Sequence, residues 1–148
     1  MSDITLLNEA LAGEYFGIAA YDAAIGSGLL DDGTVAVATA FRNQHNDHAN
    51  RLIELITARA GTPAAPLTAA EYAVDYPPLN SAGDVLAYAI ELEAGAARAS
   101  VGSVADFEDR ALASVAAQIA GVEAMHWAAL LGATGQNPVP ASFIPLPA

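Results

Sequence analysis

The sequence AQIAGVEAMHWAALL (residues 117–131) contains the pattern from which the architecture of this protein can be inferred. Its apolar residues recur every three or four positions, which is the spacing of one face of an α-helix. Glu123 and His126 interrupt that face three residues apart, or about one helical turn. A buried carboxylate is costly unless it is paired, hydrogen-bonded or bound to a cation. The stretch therefore predicts a helix whose inward face carries polar side chains that need a partner, such as an opposite charge, a hydrogen bond or a bound cation.

Four long segments of the chain show this helical spacing, and each begins and ends at residues typical of helix termini. Serine or aspartate stands at each predicted start, where its side chain can accept a hydrogen bond from a free backbone N–H group. Glycine stands at most of the predicted ends. The predicted helices run from about Asp3 to Gly26, from Asp31–Thr34 to Gly61, from Ser81 to about Val101, and from Ser103 to Gly132 or Gly135.

The longest break between these helices lies between the second and the third. Residues 61–80 hold four of the eight prolines of the chain. Loops of this length are uncommon unless they cross a structure or carry function. We therefore interpret the segment as a long crossover connection, with a short helical turn at residues 68–74.

The C-terminal segment, residues 134–148, is rich in proline but contains Phe143, Ile144 and Leu146. Its composition predicts an extended tail that is partly docked. The expected fold is all-α, a four-helix bundle over about residues 3–133 followed by this tail. At 148 residues the chain is long enough for a single domain with one hydrophobic core.

The composition excludes several classes of function. The chain has 17 acidic residues against five arginines, no lysine and a formal net charge of −12. Nucleic acids and anionic membranes are bound by clustered cationic side chains, so neither is an expected partner. Without cysteine there is no thiolate metal site and no thiol nucleophile. No membrane span and no secretory signal is evident, so we expect a cytoplasmic protein.

Side chains that can ligate a metal occupy predicted inward positions on all four helices. A buried metal site would explain why the same exception to an apolar interior recurs. Two pairs are spaced by three residues, so both members of each pair can point at one ion. The six candidate ligands are Glu14, His45, His48, Glu93, Glu123 and His126.

The two halves of the chain repeat this arrangement. Glu14 is followed 34 residues later by His48, and Glu93 is followed 33 residues later by His126. Two helical hairpins, each with one isolated glutamate and one paired motif, would face each other across a pseudo-twofold axis. We expect their ligands to converge at the middle of the bundle.

Four segments carry a resemblance to a known family: LNEALAGEYFGIAAY (7–21), QHNDHANRL (44–52), AYAIELEAGAARAS (87–100) and AQIAGVEAMHWAALL (117–131). From about Leu6 to Gly132 the chain resembles the ferritin-like superfamily, and within it the single-domain bacterial proteins related to plant desiccation-associated proteins. In that superfamily two glutamates and two Glu-x-x-His motifs hold a pair of metal ions. The resemblance implies an iron or manganese centre in this chain.

The second helix departs from the family pattern. His48 matches the family histidine, but His45 stands where the family has a glutamate that bridges two ions. A neutral imidazole has one lone pair for a metal and cannot bridge. Glu14, Glu93 and Glu123 also supply only three negative charges for two divalent cations. The site is therefore expected to hold one ion tightly or two with unequal affinity, and zinc is a further candidate because imidazole suits it.

Two classes of function remain open from the sequence. The first is a metal-dependent oxidoreductase, in which a reduced iron or manganese centre reacts with dioxygen or peroxide, as in stress protection. The second is a metal-poor ferritin-like bundle that serves as a structural or stress-related interaction protein. In the second class the buried histidines and glutamates satisfy each other by charge-assisted hydrogen bonds. Metal ions and a second copy of the chain, in a homodimer, are the expected partners.

Overall fold

The structure is a computed structural model that describes residues 1–146. The described residues form five α-helices, one short 3₁₀-helix and no strand. The predictions of an all-α protein and of four long helices are confirmed. The elements are α1 (Asp3–Gly26), α2 (Asp32–Ala58), α3 (Ala69–Ala73), α4 (Ala82–Ser103), a 3₁₀-helix (Val104–Asp106) and α5 (Arg110–Ala133).

The described part of the chain divides into two compact units. The N-terminal unit is Leu7–Val85 and contains most of α1 together with α2 and α3. The C-terminal unit consists of Met1–Leu6 and the residues from Leu86 onward, and it contains most of α4 together with α5. Each unit carries three of the six candidate ligands. No described helix combines the length and the hydropathy that crossing a membrane requires.

The turn between α1 and α2 is formed by the residues that the sequence indicated. Gly26 is the last residue of α1, and Gly28 follows with a positive φ of 71°. Glycine adopts this left-handed conformation without a steric penalty. Asp31 caps α2, because its side chain accepts a hydrogen bond of 2.8 Å from the backbone N–H of Thr34.

The C-terminal end of α2 differs from the prediction. The helix ends at Ala58, and Ala60, which is followed by Gly61, adopts the left-handed conformation with φ of 57°. The backbone N–H of Gly61 donates a hydrogen bond to the carbonyl of Ile56, and the N–H of Ala60 donates one to the carbonyl of Thr57, both at 3.0 Å. These are the two hydrogen bonds of a Schellman motif. Alanine thus occupies the position at which glycine is usual, and the helix stops three residues before Gly61.

The segment that connects α2 to α4 packs against α1. Its short helix α3 begins at a capping box formed by Thr68 and Glu71, which confirms the predicted helical turn. The buried ring of Tyr72 lies edge-on to Phe16 of α1, with 5.9 Å between ring centroids. The side chain of Asn8 accepts a hydrogen bond from the backbone of Ala64 at 2.7 Å. These contacts hold the connection in place, although α3 is a short helix and the rest of the connection has no regular secondary structure.

The start of α5 is also later in the sequence than predicted. Ser103 does not cap a helix, because its hydroxyl donates a hydrogen bond to the carbonyl of Ser100 at 2.9 Å. The cap is Asp109, whose side chain accepts a hydrogen bond from the N–H of Ala111 at 2.8 Å. In addition, the carboxylate of Asp3 accepts hydrogen bonds from the backbone N–H groups of Glu108, at 2.9 Å, and of Asp109, at 3.0 Å. The N-terminus of α1 therefore fixes the point at which α5 begins.

The described part of the tail contains no helix or strand after Ala133. The side chain of Phe143 is 87% exposed, whereas Leu146 is 54% exposed and lies against α4 beside Arg98 and Gly102. The last two residues of the predicted tail, 147 and 148, lie outside the described residues.

The apolar interior of both units is made mainly of leucine, isoleucine and alanine. Burial of each large aliphatic side chain contributes about 1.5–3 kcal/mol, and the small alanines let helices approach closely. Leu7, Leu11, Leu52 and Ile56 are almost completely buried in the N-terminal unit, as are Ala94, Ala97, Leu112 and Ala120 in the C-terminal unit.

Candidate metal centre

In the N-terminal unit three candidate ligands meet, which we call the Glu14 triad: Glu14 of α1 with His45 and His48 of α2. The sequence folds in this way because His45 and His48 lie one turn apart on α2 and face the stripe of α1 that carries Glu14. Each residue offers one ligand atom, and the three atoms lie within 4.8 Å of one another. Glu14 is 6% exposed and His45 2% exposed, whereas His48 is partly buried.

The carboxylate of Glu14 contacts both histidines, with one oxygen for each. Its Oε2 atom lies 2.8 Å from Nδ1 of His45, and its Oε1 atom lies 3.5 Å from Nδ1 of His48. Burial acts to raise the pKa of the Glu14 carboxyl. Hydrogen bonds and charge interactions with the two histidines outweigh burial and lower this pKa below its ordinary value. Glu14 is therefore held in its ionised, metal-ligating form.

The ring of His45 is enclosed by two residues of α1 that flank it. A Cβ atom on Gly17 would lie 3.1 Å from Nδ1 and Cε1 of His45, so the absence of a side chain there makes room for the imidazole. The ring of Tyr21 lies on α1 one turn further along, with its centroid 5.6 Å from that of His45. Sequence reasoning missed the role of Gly17. The available signal was a glycine on the same helical face as Glu14, three residues after it.

In the C-terminal unit the other three candidates meet, which we call the Glu93 triad: Glu93 of α4 with Glu123 and His126 of α5. Their ligand atoms also lie within 4.8 Å of one another. Both glutamates are 0% exposed and His126 is 2% exposed. Two carboxylates in a fully buried position need a compensating positive charge.

His126 supplies contacts to both carboxylates of this triad. Its Nδ1 atom lies 3.2 Å from Oε2 of Glu93 and 3.4 Å from Oε2 of Glu123. Burial acts to lower the pKa of His126. Hydrogen bonds and charge interactions with Glu123 and Glu93 outweigh burial and raise this pKa above its ordinary value.

The chemistry of both triads fits a bound metal ion, and so does the spacing of the Glu93 triad. Imidazole nitrogens and carboxylate oxygens bind first-row metals at about 2.0–2.2 Å, so two ligands in adjacent positions on one ion are about 3.0–3.4 Å apart. The nitrogen–oxygen distances of the Glu93 triad, 3.2 and 3.4 Å, fall in this range, and those of the Glu14 triad, 2.8 and 3.5 Å, lie just outside it. The same distances also suit direct hydrogen bonds between histidine and glutamate. The geometry thus supports a metal site and, without metal, a hydrogen-bonded pair.

The six candidate ligands are distributed over the four long helices, with one on α1, two on α2, one on α4 and two on α5. The structure brings together Glu14, His45 and His48 in one triad and Glu93, Glu123 and His126 in the other. Five of the six are buried, and His48 is the partly exposed member.

Comparison with known proteins identifies the family. The ferritin-like domain family matches residues 2–136. The crystal structure of a conserved hypothetical protein from Mycobacterium tuberculosis is similar to this chain, with 28% sequence identity and a TM-score of 0.68 over 95% of this chain and 96% of the other. No curated protein matches the chain significantly. The match runs through both triads, and the chain therefore belongs to the ferritin-like domain family.

Proposed function

We propose that this protein is a metal-binding ferritin-like protein whose reduced iron or manganese centre reacts with dioxygen or peroxide. The observation that carries the proposal is the pair of triads, each of which brings three ligand atoms on two helices within 4.8 Å of one another. The proposed ligands are Glu14, His45, His48, Glu93, Glu123 and His126.

The family match supports a single domain as well. It extends over residues 2–136 and includes all four long helices. We infer that α1, α2, α4 and α5 are the four helices of one ferritin-like bundle. The connection that carries α3 is then the long crossover of that bundle.

The charges of the two triads match divalent cations to different degrees. Glu93 and Glu123 together carry two negative charges, which balance one divalent ion. Glu14 supplies only one negative charge, so the Glu14 triad with a bound divalent ion keeps a net positive charge. Carboxylates suit manganese, and imidazole suits iron and zinc, so the two triads together favour iron or manganese with zinc as a further candidate.

The residues of the chain hold, orient and shield the reacting centre. Glu14 is kept ionised by its histidine neighbours and is ready to ligate. His126 must be neutral to ligate, so metal binding there releases a proton from any protonated imidazole. Complete burial of Glu93 and Glu123 excludes bulk water from the carboxylates. When bound, a reduced iron or manganese ion would supply the electrons for reduction of dioxygen or peroxide.

A second function is favoured by one specific distance. The 2.8 Å separation of His45 Nδ1 and Glu14 Oε2 is a good direct hydrogen bond, in which an imidazole N–H donates to the carboxylate. Buried pairs of this kind would keep a metal-poor bundle stable. In that case the protein would act as a structural or stress-related interaction protein.

Oxidation of ferrous iron distinguishes these functions. Metal-free protein is loaded anaerobically with Fe²⁺, exposed to dioxygen or hydrogen peroxide, and followed by the ultraviolet absorbance of ferric iron and by oxidant consumption. We expect oxidation faster than in buffer, and a loss of most of this acceleration in Glu93→Gln. Glu91→Gln is the control, because Glu91 lies on the same helix and is exposed. Oxidation at the buffer rate in wild-type protein would contradict the redox function.

A further inference from the structure

Gly17 of α1 lies against the ring of His45. A Cβ atom at this position would stand 3.1 Å from Nδ1 and Cε1 of His45 and 3.3 Å from its Cγ. Contacts this short are tighter than nine in ten that real Cβ atoms make, so the ring would have to move by a few tenths of an ångström.

The surroundings of His45 leave little room for such a movement. The side chain is 2% exposed, and its Nδ1 is 2.8 Å from Glu14. The ring of Tyr21 lies beside it at 5.6 Å between centroids, and the ring of His48 at 6.2 Å. A methyl group on Gly17 would therefore displace the imidazole from the position in which its Nδ1 meets Glu14.

Glycine at this position is unfavourable for the helix itself. Glycine in the interior of a helix is destabilising relative to alanine, since it loses more conformational freedom on folding. Gly13, one turn earlier on α1, is exposed, and a Cβ atom there would meet no other part of the protein within 4 Å. Gly17 differs from Gly13 in that the imidazole of His45 occupies the space that a side chain would take.

We propose that Gly17 determines the metal specificity of the Glu14 triad. By making room for a second imidazole, it gives the triad two nitrogen ligands and one carboxylate, which suits a borderline cation such as Zn²⁺. The Glu93 triad has two carboxylates and one nitrogen, which suits Mn²⁺ better. This inference rests on the proposed metal-binding function, and it makes the two triads unequal in the cation they prefer.

The test compares Gly17→Ala with Gly13→Ala on the same helix. Binding of Zn²⁺ and of Mn²⁺ to metal-free protein is measured by isothermal titration calorimetry, with bound metal counted by elemental analysis. Circular dichroism verifies that each variant is folded. We expect Gly17→Ala to weaken Zn²⁺ binding at one site by roughly tenfold or more, as changes beside a metal ligand do. Binding of Mn²⁺ should stay within about twofold of wild type, and Gly13→Ala should change neither.

A double-mutant cycle shows whether Gly17 acts through His45. If it does, Gly17→Ala has no further effect on Zn²⁺ affinity in a His45→Ala background, where the imidazole is gone. An equal loss of Zn²⁺ affinity in both backgrounds would overturn the proposal, because it would show a general effect on the helix. Unchanged Zn²⁺ binding in Gly17→Ala would overturn it as well.

Two further outcomes separate this inference from the function on which it rests. Wild-type protein that binds neither cation would contradict the proposed function, and the inference would fall with it. Wild-type protein that binds both cations, with Zn²⁺ and Mn²⁺ weakened alike by Gly17→Ala, would overturn the inference alone. If Gly17→Ala does not fold, His45→Gln replaces it, and a selective loss of Zn²⁺ affinity is again the expected result.

Discussion

Nδ1 of His45 lies 2.8 Å from Oε2 of Glu14, although the two residues are 31 positions apart in the chain and both are buried. This contact joins α1 to α2 inside the N-terminal unit. It is either a direct charge-assisted hydrogen bond or the spacing of two ligands on one ion. The two interpretations predict different responses of the protein to metal.

Metal should raise the thermal stability of the protein. A ligand that binds only the folded state adds about 2.7 kcal/mol to the free energy of unfolding when its concentration is 100 times its dissociation constant. At about 2–4 °C per kcal/mol for a chain of this size, the melting temperature should rise by roughly 5–10 °C. Differential scanning calorimetry of metal-free protein with added Mn²⁺ or Fe²⁺, followed by excess chelator, measures the rise and its reversal. A melting temperature that responds to neither addition would favour direct histidine–glutamate hydrogen bonds.

Replacement of Ala60 by glycine should stabilise the protein. The left-handed conformation, with φ of 57°, costs an L-residue about 1–2 kcal/mol, and glycine adopts it without this cost. After the greater flexibility of glycine in the unfolded chain is subtracted, Ala60→Gly should gain about 0.5–1 kcal/mol. Urea denaturation measures the change. Ala40→Gly, at an exposed position within α2, is the control and should lose about 0.5–1 kcal/mol instead. A loss of stability in both variants would contradict the assigned helix end.

The cap of α2 should make stability depend on pH. Hydrogen bonds from Thr34 lower the pKa of Asp31 below its ordinary value. A carboxyl whose pKa is lower in the folded state stabilises the protein above the unfolded pKa, and this contribution is lost as the pH falls through the folded pKa. Asp31→Asn retains a capping side chain without the charge, so wild-type protein should be more stable at pH 7 and the difference should vanish in strong acid.

Thermal melts of wild type and Asp31→Asn from neutral pH to strong acid measure this difference. Asp47→Asn, at an exposed position in the middle of α2, provides the control. A difference in melting temperature between wild type and Asp31→Asn that is constant over the whole pH range would show that the Asp31 charge does not contribute to stability.

The long helices and the polar residues on their inward faces could be predicted from the sequence. Apolar spacing and cap residues indicate α1 from Asp3 to Gly26, the bounds that the structure shows. Glu93 and Glu123 stood out because each interrupts an apolar stripe, and both are completely buried. The resemblance to ferritin-like proteins is confirmed by the family match.

Features that depend on contacts between distant parts of the chain could not be predicted in the same way. The carboxylate of Asp3 accepts hydrogen bonds from the backbone N–H groups of Glu108 and Asp109. No local sequence pattern can reveal a capping residue that lies more than 100 positions away in the chain. Ser103 carried a plausible local cap signal, but its hydroxyl bonds to the preceding turn instead. The role of Gly17 was overlooked because it depends on contact with His45, which belongs to a different helix.

The central claim, that the two triads bind metal, is tested most directly by the metal-to-protein ratio. Metal-free wild type, Glu123→Ala and Glu108→Ala are dialysed anaerobically against Fe²⁺, Mn²⁺ or Zn²⁺, and bound metal is counted by elemental analysis. Glu108 is exposed and serves as the charge-matched control. We expect at least one ion per chain in wild type and in Glu108→Ala, and a clear loss of bound metal in Glu123→Ala with helicity retained. Equal ratios in all three proteins would contradict the claim.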